Sequence, residues 1–269
     1  MTVRLSPVAA SACATALAAC QPPPAPPPRL TLLAHEYNYD MPPSVPAGLL
    51  RIDLRNQGQD VHEALLVHFT DFAGNARAYV DSVRAHVDFP AFATDVGGAG
   101  LTLPGESTTV WLAVPPGRYA VVCWKGNHLS LGMAHDLLVT PTARPAAQPP
   151  EATANLSLLD YRFRLSSPPP SGRQILHIRN DGAEFHEADI FRLPGATSVQ
   201  DYFKWLKAGE VGRPPVDPVG GLGDIAPGRE LWLALLLTPG RYFILCTLHA
   251  RGDGRPHYEH GMILEFTVS

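Results

Sequence analysis

One pattern occurs twice along this chain, and the duplication limits the fold more than any single motif does. The first copy runs through Asn56-Gln57-Gly58, His62-Glu63, Pro116-Gly117-Arg118-Tyr119, Cys123, His128 and Gly132-Met133. The second runs through Asn180-Asp181-Gly182, His186-Glu187, Pro239-Gly240-Arg241-Tyr242, Cys246, His257 and Gly261-Met262. His62 and His186 stand 124 residues apart, and Cys123 and Cys246 stand 123 apart. A chain of 269 residues with such a duplication is expected to fold as two domains of ordinary size. Their expected spans are residues 30–140 and 155–269, joined by a Pro- and Ala-rich linker over 141–154.

Each copy reads mostly as strands. Leu49–Leu54 and Gln174–Ile178 alternate apolar and polar residues, the period of a half-buried strand. Val110–Val114 and Leu231–Leu235 correspond by motif, which sets Trp111 opposite Trp232. Tyr119–Cys123 and Tyr242–Cys246 are apolar on both faces and are expected deep in a sandwich. Pro-Gly pairs at Pro104, Pro116, Pro227 and Pro239 supply the bracketing turns. One short helix is expected per copy. Val80, Val83 and Val87 share a face after Asn75, as Val199, Phe203 and Leu206 do between Ser198 and Gly209. The fold class is therefore all-β, two tandem Greek-key β-sandwiches, each with one short helix.

The matched polar positions carry chemistry. Each copy offers one thiol, two imidazoles and one thioether, the donor set of a mononuclear type 1 copper centre. Taken singly, a buried Cys is a small core residue and a Met is core filler. No packing rule asks for all four types at matched positions. The sulfurs are scarce: the only cysteines are Cys13, Cys20, Cys123 and Cys246, and the only methionines beyond the motifs are Met1 and Met41.

On these residues each copy resembles a cupredoxin, the blue-copper fold of plastocyanin and azurin. That family takes one His from an early strand end and a Cys-His-Met set from a late loop. The resemblance implies the ligands His62, Cys123, His128 and Met133 in the first copy and His186, Cys246, His257 and Met262 in the second, with one copper ion in each. The two loops differ. Cys123 and His128 are separated by four residues and Cys246 and His257 by ten, which leaves His249 as a rival to His257. Glu63 and Glu187 stand where such proteins often carry Asn, and read as outward-facing strand residues or hydrogen-bond partners for a loop.

The N-terminus reads as an export signal over residues 1–19, ending in Leu17-Ala18-Ala19-Cys20. That sequence resembles a bacterial lipobox, which implies lipid on Cys20. The Pro-rich stretch over 20–29 reads as a stiff tether. The expected place is extracytoplasmic, periplasmic or cell-surface, anchored to a membrane through the lipid. A formal charge of −4 without a long basic run gives no reason to expect nucleic acid.

Multicopper oxidases and copper nitrite reductases also use cupredoxin repeats, but add His-x-His and His-Cys-His motifs. Neither motif occurs in this chain. The reading is a carrier of single electrons, not an enzyme, working with a redox partner protein. Two alternatives stand beside it: a protein that sequesters or delivers copper to a donor or acceptor, and a metal-free sandwich serving as an interaction module.

Overall fold

The computed structural model describes residues 25–269 apart from 73, 86–89, 144–145 and 210. The expected signal segment and Cys20 lie outside the described residues, as does Val87.

The described chain is all-β, with strands gathered in two sheets and one helix in each repeat. The repeats do not keep separate sheets. Each sheet runs through both of them, with eight strands in one and nine in the other. In the first sheet the strand Ser107–Val114 pairs antiparallel with Glu230–Leu237. In the second, Ala93–Thr102 meets Asp217–Ile225 at Leu222 and Ala99. Ala99 and Leu222 are 123 residues apart, the offset of the cysteines, and so are Val110 and Leu233, which also face each other. Equivalent residues meeting across a seam define a pseudo-two-fold axis. Trp111 and Trp232 are therefore cross-strand partners and not equivalents, since the axis puts Ala234 in the place of Trp111. The second sheet can close this tightly because Gly100 has no side chain. A Cβ there would lie 2.7 Å from the Gly221 carbonyl carbon.

A single apolar core fills the space between the sheets and contains Cys123, Met133, Cys246 and Met262. The cysteine-bearing strands are apolar on both faces for a different reason on each. Tyr119, Val121 and Cys123 enter that core, whereas Ala120 and Val122 lie under the helix Ala76–Arg84 with Leu65 and Val67. The helix Val199–Lys207 covers Phe243 and Leu245 in the same way. Its cap is built within the helix, where Ser198 and Asp201 form a reciprocal capping box. The first helix is capped by Asn75, with Asp136 accepting from the Ala76 N–H at 2.8 Å. Tyr202 is the buried aromatic of the second helix, and Phe203 packs only partly.

The Pro-Gly-Arg-Tyr motif has a physical account. The Tyr119 hydroxyl donates to the Pro115 carbonyl at 2.9 Å, and the Tyr242 hydroxyl to the Thr238 carbonyl at 2.8 Å. Each closes the turn ahead of a cysteine strand with a buried ring, the logic of a tyrosine corner. Arg118 and Arg241 reach across to carbonyls before their helices, at Phe72 and Thr197. The motif thus locks the turn, the strand and the helix entry together.

Candidate metal centres

In each repeat the structure brings one thiol and two imidazoles together in the interior. His62, Cys123 and His128 offer donor atoms within 4.8 Å of one another, and so do His186, Cys246 and His257. Cys123 Sγ lies 3.4 Å from His128 Nδ1, and Cys246 Sγ lies 3.3 Å from His257 Nδ1. His186 Nδ1 stands 3.2 Å from His257 Nδ1. Metal–donor bonds of 2.0–2.3 Å set neighbouring donors roughly 3.3–3.8 Å apart, so these spacings suit a shared ion. Both ring nitrogens of His62 are buried without a hydrogen-bond partner, an arrangement that a metal on one of them relieves.

Local structure delivers each donor. His62 and His186 open the strands His62–Phe69 and His186–Leu193. Ahead of them Asn56 and Asn180 shape the turn. Asn56 Nδ2 donates to the carbonyls of Asp60 at 2.6 Å and Thr102 at 2.8 Å, and its Oδ1 accepts from the Gly58 N–H. Asn180 does the same with Glu184, Ile225 and Gly182. The glycines are sterically required. A Cβ on Gly58 would sit 2.9 Å from His62 Nε2, and one on Gly182 would sit 2.6 Å from His186 Nε2.

On the other side, the loop after each cysteine returns through a methionine. Cys123 N–H donates to the Met133 carbonyl at 3.2 Å, and Met133 N–H to the His128 carbonyl at 3.0 Å. Cys246, Met262 and His257 repeat the pattern at 3.4 and 3.0 Å. Both methionines are fully buried in the core that holds the cysteines. The longer second loop is a closed detour. His257 N–H donates to the Leu248 carbonyl at 2.7 Å, which pinches off residues 249–256. His249 lies exposed on that detour, bridged to Pro256, so His257 is the imidazole brought to the sulfur.

Four carboxylates behind the imidazoles went unread in the sequence. Asp160 Oδ1 stands 3.0 Å from His186 Nε2, and Glu184 Oε2 stands 3.2 Å from His257 Nε2. Their counterparts Glu36 and Asp60 stand 3.9 Å from His62 and His128. In the second repeat, with Nε2 held in this way, Nδ1 is the nitrogen left to face the cluster. The signal that could have found them is the offset of 124, which maps Glu36 onto Asp160 and Asp60 onto Glu184.

Glu63 and Glu187 do not face outward. The Glu63 amide donates to Cys123 Sγ at 3.4 Å, and the Trp124 amide bonds its carboxylate. Glu187 accepts from the Thr247 N–H at 2.6 Å and from its hydroxyl. Each glutamate ties the first ligand strand to the residue after the cysteine. Burial lowers all four imidazole pKa values, which keeps the rings neutral and able to ligate. Burial pushes the Cys123 thiol up to about 12 and Cys246 well above its ordinary range, each helped by the adjacent glutamate. A metal arriving at either thiol must displace its proton. Cys123 and Cys246 are both free thiols. His135 stands apart from the cluster, 2.7 Å from Asn38 Oδ1.

No protein-family model matches the chain, and no curated protein sequence does. Solved structures of similar fold exist. A dithionite-reduced auracyanin from the photosynthetic bacterium Roseiflexus castenholzii is 22% identical, with 42% of this chain and 97% of that chain covered and a TM-score of 0.30. A multicopper oxidase is 15% identical, with 90% of this chain and 88% of that chain covered and a TM-score of 0.25. The copper nitrite reductase of Nitrosomonas europaea is 14% identical, with 90% and 93% covered and a TM-score of 0.26.

Both repeats are cupredoxin-like, with an all-β sandwich around a buried His-Cys-His cluster. The donor sets fit copper. One expectation is corrected. The reading of the chain as no enzyme does not stand, because the similar structures include an oxidase and a reductase. The missing His-x-His and His-Cys-His motifs are sequence signatures, whereas a reacting centre is defined by what converges in space.

Proposed function

We propose that this chain holds one copper ion in each repeat and passes single electrons to and from a redox partner protein. The ligands are His62, Cys123, His128 and Met133 in the first repeat and His186, Cys246, His257 and Met262 in the second. The observation that carries this reading is the pair of buried His-Cys-His clusters at matched positions on one scaffold. A bound copper would supply a one-electron couple between its two oxidation states. The residues do the rest. Strand and loop ends fix the donors before any metal arrives, the core excludes water, and buried neutral imidazoles need shed no proton. A preformed site of this kind lets the metal change oxidation state with little rearrangement.

The experiment is a Cu(II) titration of the metal-free chain. Two equivalents with an intense thiolate-to-copper absorption are expected. Cys123→Ser and Cys246→Ser should each remove one equivalent with its share of the colour, and the double variant should remove all of it. Colour surviving in the double variant would overturn the ligand assignment. The chain's place is proposed as extracytoplasmic, lipid-anchored through Cys20 and held off the membrane by the Pro-rich tether. Mass spectrometry of the mature N-terminus checks this, and an unmodified Cys20 would end it.

A further inference from the structure

The seam between the repeats holds a cavity of about 840 Å³ that none of the six clustered donors lines. Its walls carry Glu63 and Asp95 from the first repeat and Glu184, Glu187, Asp189 and Asp224 from the second. Glu63 and Glu187 are repeat equivalents, but the duplication does not account for the rest of this acidity. At the repeat offsets, Asp189 and Asp224 occupy the places of Leu65 and Leu101, and both leucines face the same cavity. Lys125 and Arg251 are the basic side chains on the wall, so the carboxylates outnumber them.

Two buried polar atoms at the cavity point to an occupant. Asp95 is 2% exposed and takes a hydrogen bond from Tyr79, yet its Oδ1 has no partner. The indole Nε1 of Trp124, also on the wall, is buried without one. A buried carboxylate oxygen left unpaired is costly in a low-dielectric setting, because it has given up water and gained no partner. A hydrated cation answers both orphans, its coordinated water donating to Asp95 and an outer water accepting from Trp124.

We propose that the cavity binds one hydrated divalent cation of the hard, oxygen-seeking class among Asp95, Asp189, Asp224, Glu63 and Glu187. Among the described residues these carboxylates do not converge in threes within 4.8 Å as the His-Cys-His donors do. The ion therefore keeps much of its water shell, as Mg²⁺ does habitually. Burial first, and then the negative charge of Glu187, push the Asp189 and Asp224 carboxyls well above their usual range. A dication placed among them removes that repulsion.

Mn²⁺ is the probe, because it favours oxygen donors and is the weakest binder of its series at thiol–imidazole sites. The full chain is titrated with Mn²⁺, and the free aqueous ion is followed by electron paramagnetic resonance. One Mn²⁺ per chain is expected, displaced by Mg²⁺ or Ca²⁺. Asp95→Asn with Asp224→Asn should weaken binding by about tenfold or more, while Asp201→Asn, at a helix cap that does not line the cavity, should leave it unchanged. Should the double variant not fold, Asp95→Asn alone and the Mn²⁺-dependent rise in melting temperature supply the same reading. No saturable uptake by the native chain, or equal uptake after the cavity substitutions, would overturn the proposal.

Discussion

The two His-Cys-His clusters share a scaffold and differ in what stands behind their imidazoles. The paired ring centroids are 4.9 Å apart in both repeats, so the rings themselves are placed alike. In the second repeat each ring is met by a carboxylate at 3.0 or 3.2 Å, and in the first the counterparts stand 3.9 Å away. Side-chain length does not explain this. Each repeat uses one Asp and one Glu, with the types exchanged between Glu36 and Asp60 on one side and Asp160 and Glu184 on the other. Glu184 is itself anchored by the Tyr161 hydroxyl at 2.9 Å and the Arg251 N–H at 3.1 Å, and Asp160 takes the Ala183 N–H at 2.9 Å. Although burial would raise the Asp160 carboxyl, hydrogen bonds from Glu184, His186 and Ala183 hold it below its ordinary range. Two centres with one ligand set can thus differ through their outer partners alone.

The largest test of this contrast removes those partners. Asp160→Ala and Glu184→Ala should each weaken Cu(II) binding at the second site by about 10–100-fold, the usual effect of losing an outer partner. Glu36→Ala and Asp60→Ala should weaken the first site less, as read by competition with a chelator. Equal losses at all four positions would break the comparison. A smaller effect comes from the glycines. Gly182→Ala should cost about 1–3 kcal/mol of stability by overpacking and dislodge His186, measured by thermal melts. Gly58→Ala should be milder, since its Cβ would lie 2.9 Å from the imidazole against 2.6 Å at Gly182, where the Asp160 backbone nitrogen is also only 3.1 Å away.

The tyrosine corners should also differ. Tyr119→Phe removes one hydrogen bond, worth about 0.5–1.5 kcal/mol. Tyr242→Phe should cost more, because its hydroxyl also accepts from the Thr238 N–H at 3.0 Å. The smallest effect is in the helix caps and depends on pH. Hydrogen bonds from Ser198 and Lys204 hold the Asp201 carboxyl at about 2. A carboxyl held low in the fold stabilises it above the unfolded value of about 3.9 and loses that contribution as pH falls through about 2. Acid titration of stability should lose this component in Asp201→Asn. The first helix has no acidic residue in its first turn, so it should show no such component.

The strand pattern, the two helices and the six clustered His and Cys residues were legible in the sequence, because a duplicated chain displays each of them twice. The choice between His257 and His249 stayed open there, and the Leu248–His257 hydrogen bond that closes the loop brought His257 to the sulfur. The seam was not legible. Motif matching aligned Trp111 with Trp232, but strand pairing makes them partners across an axis, since hydrogen-bond register and not residue type decides which atoms meet. The inward turn of Glu63 and Glu187 was hidden for the same reason. A strand residue that points away from one sandwich can point into the space between two.

What the chain determined by itself is the fold of one repeat and which Cys and His side chains cluster inside it. Alternation, turn residues and a doubled motif are local properties, and they survive translation along the sequence. Tertiary structure alone decided that both sheets continue through the two repeats, that carboxylates stand behind the imidazoles at different distances, and that six acids share one cavity. Those facts depend on distances between residues far apart in the chain, and such distances are set only when the two halves pack.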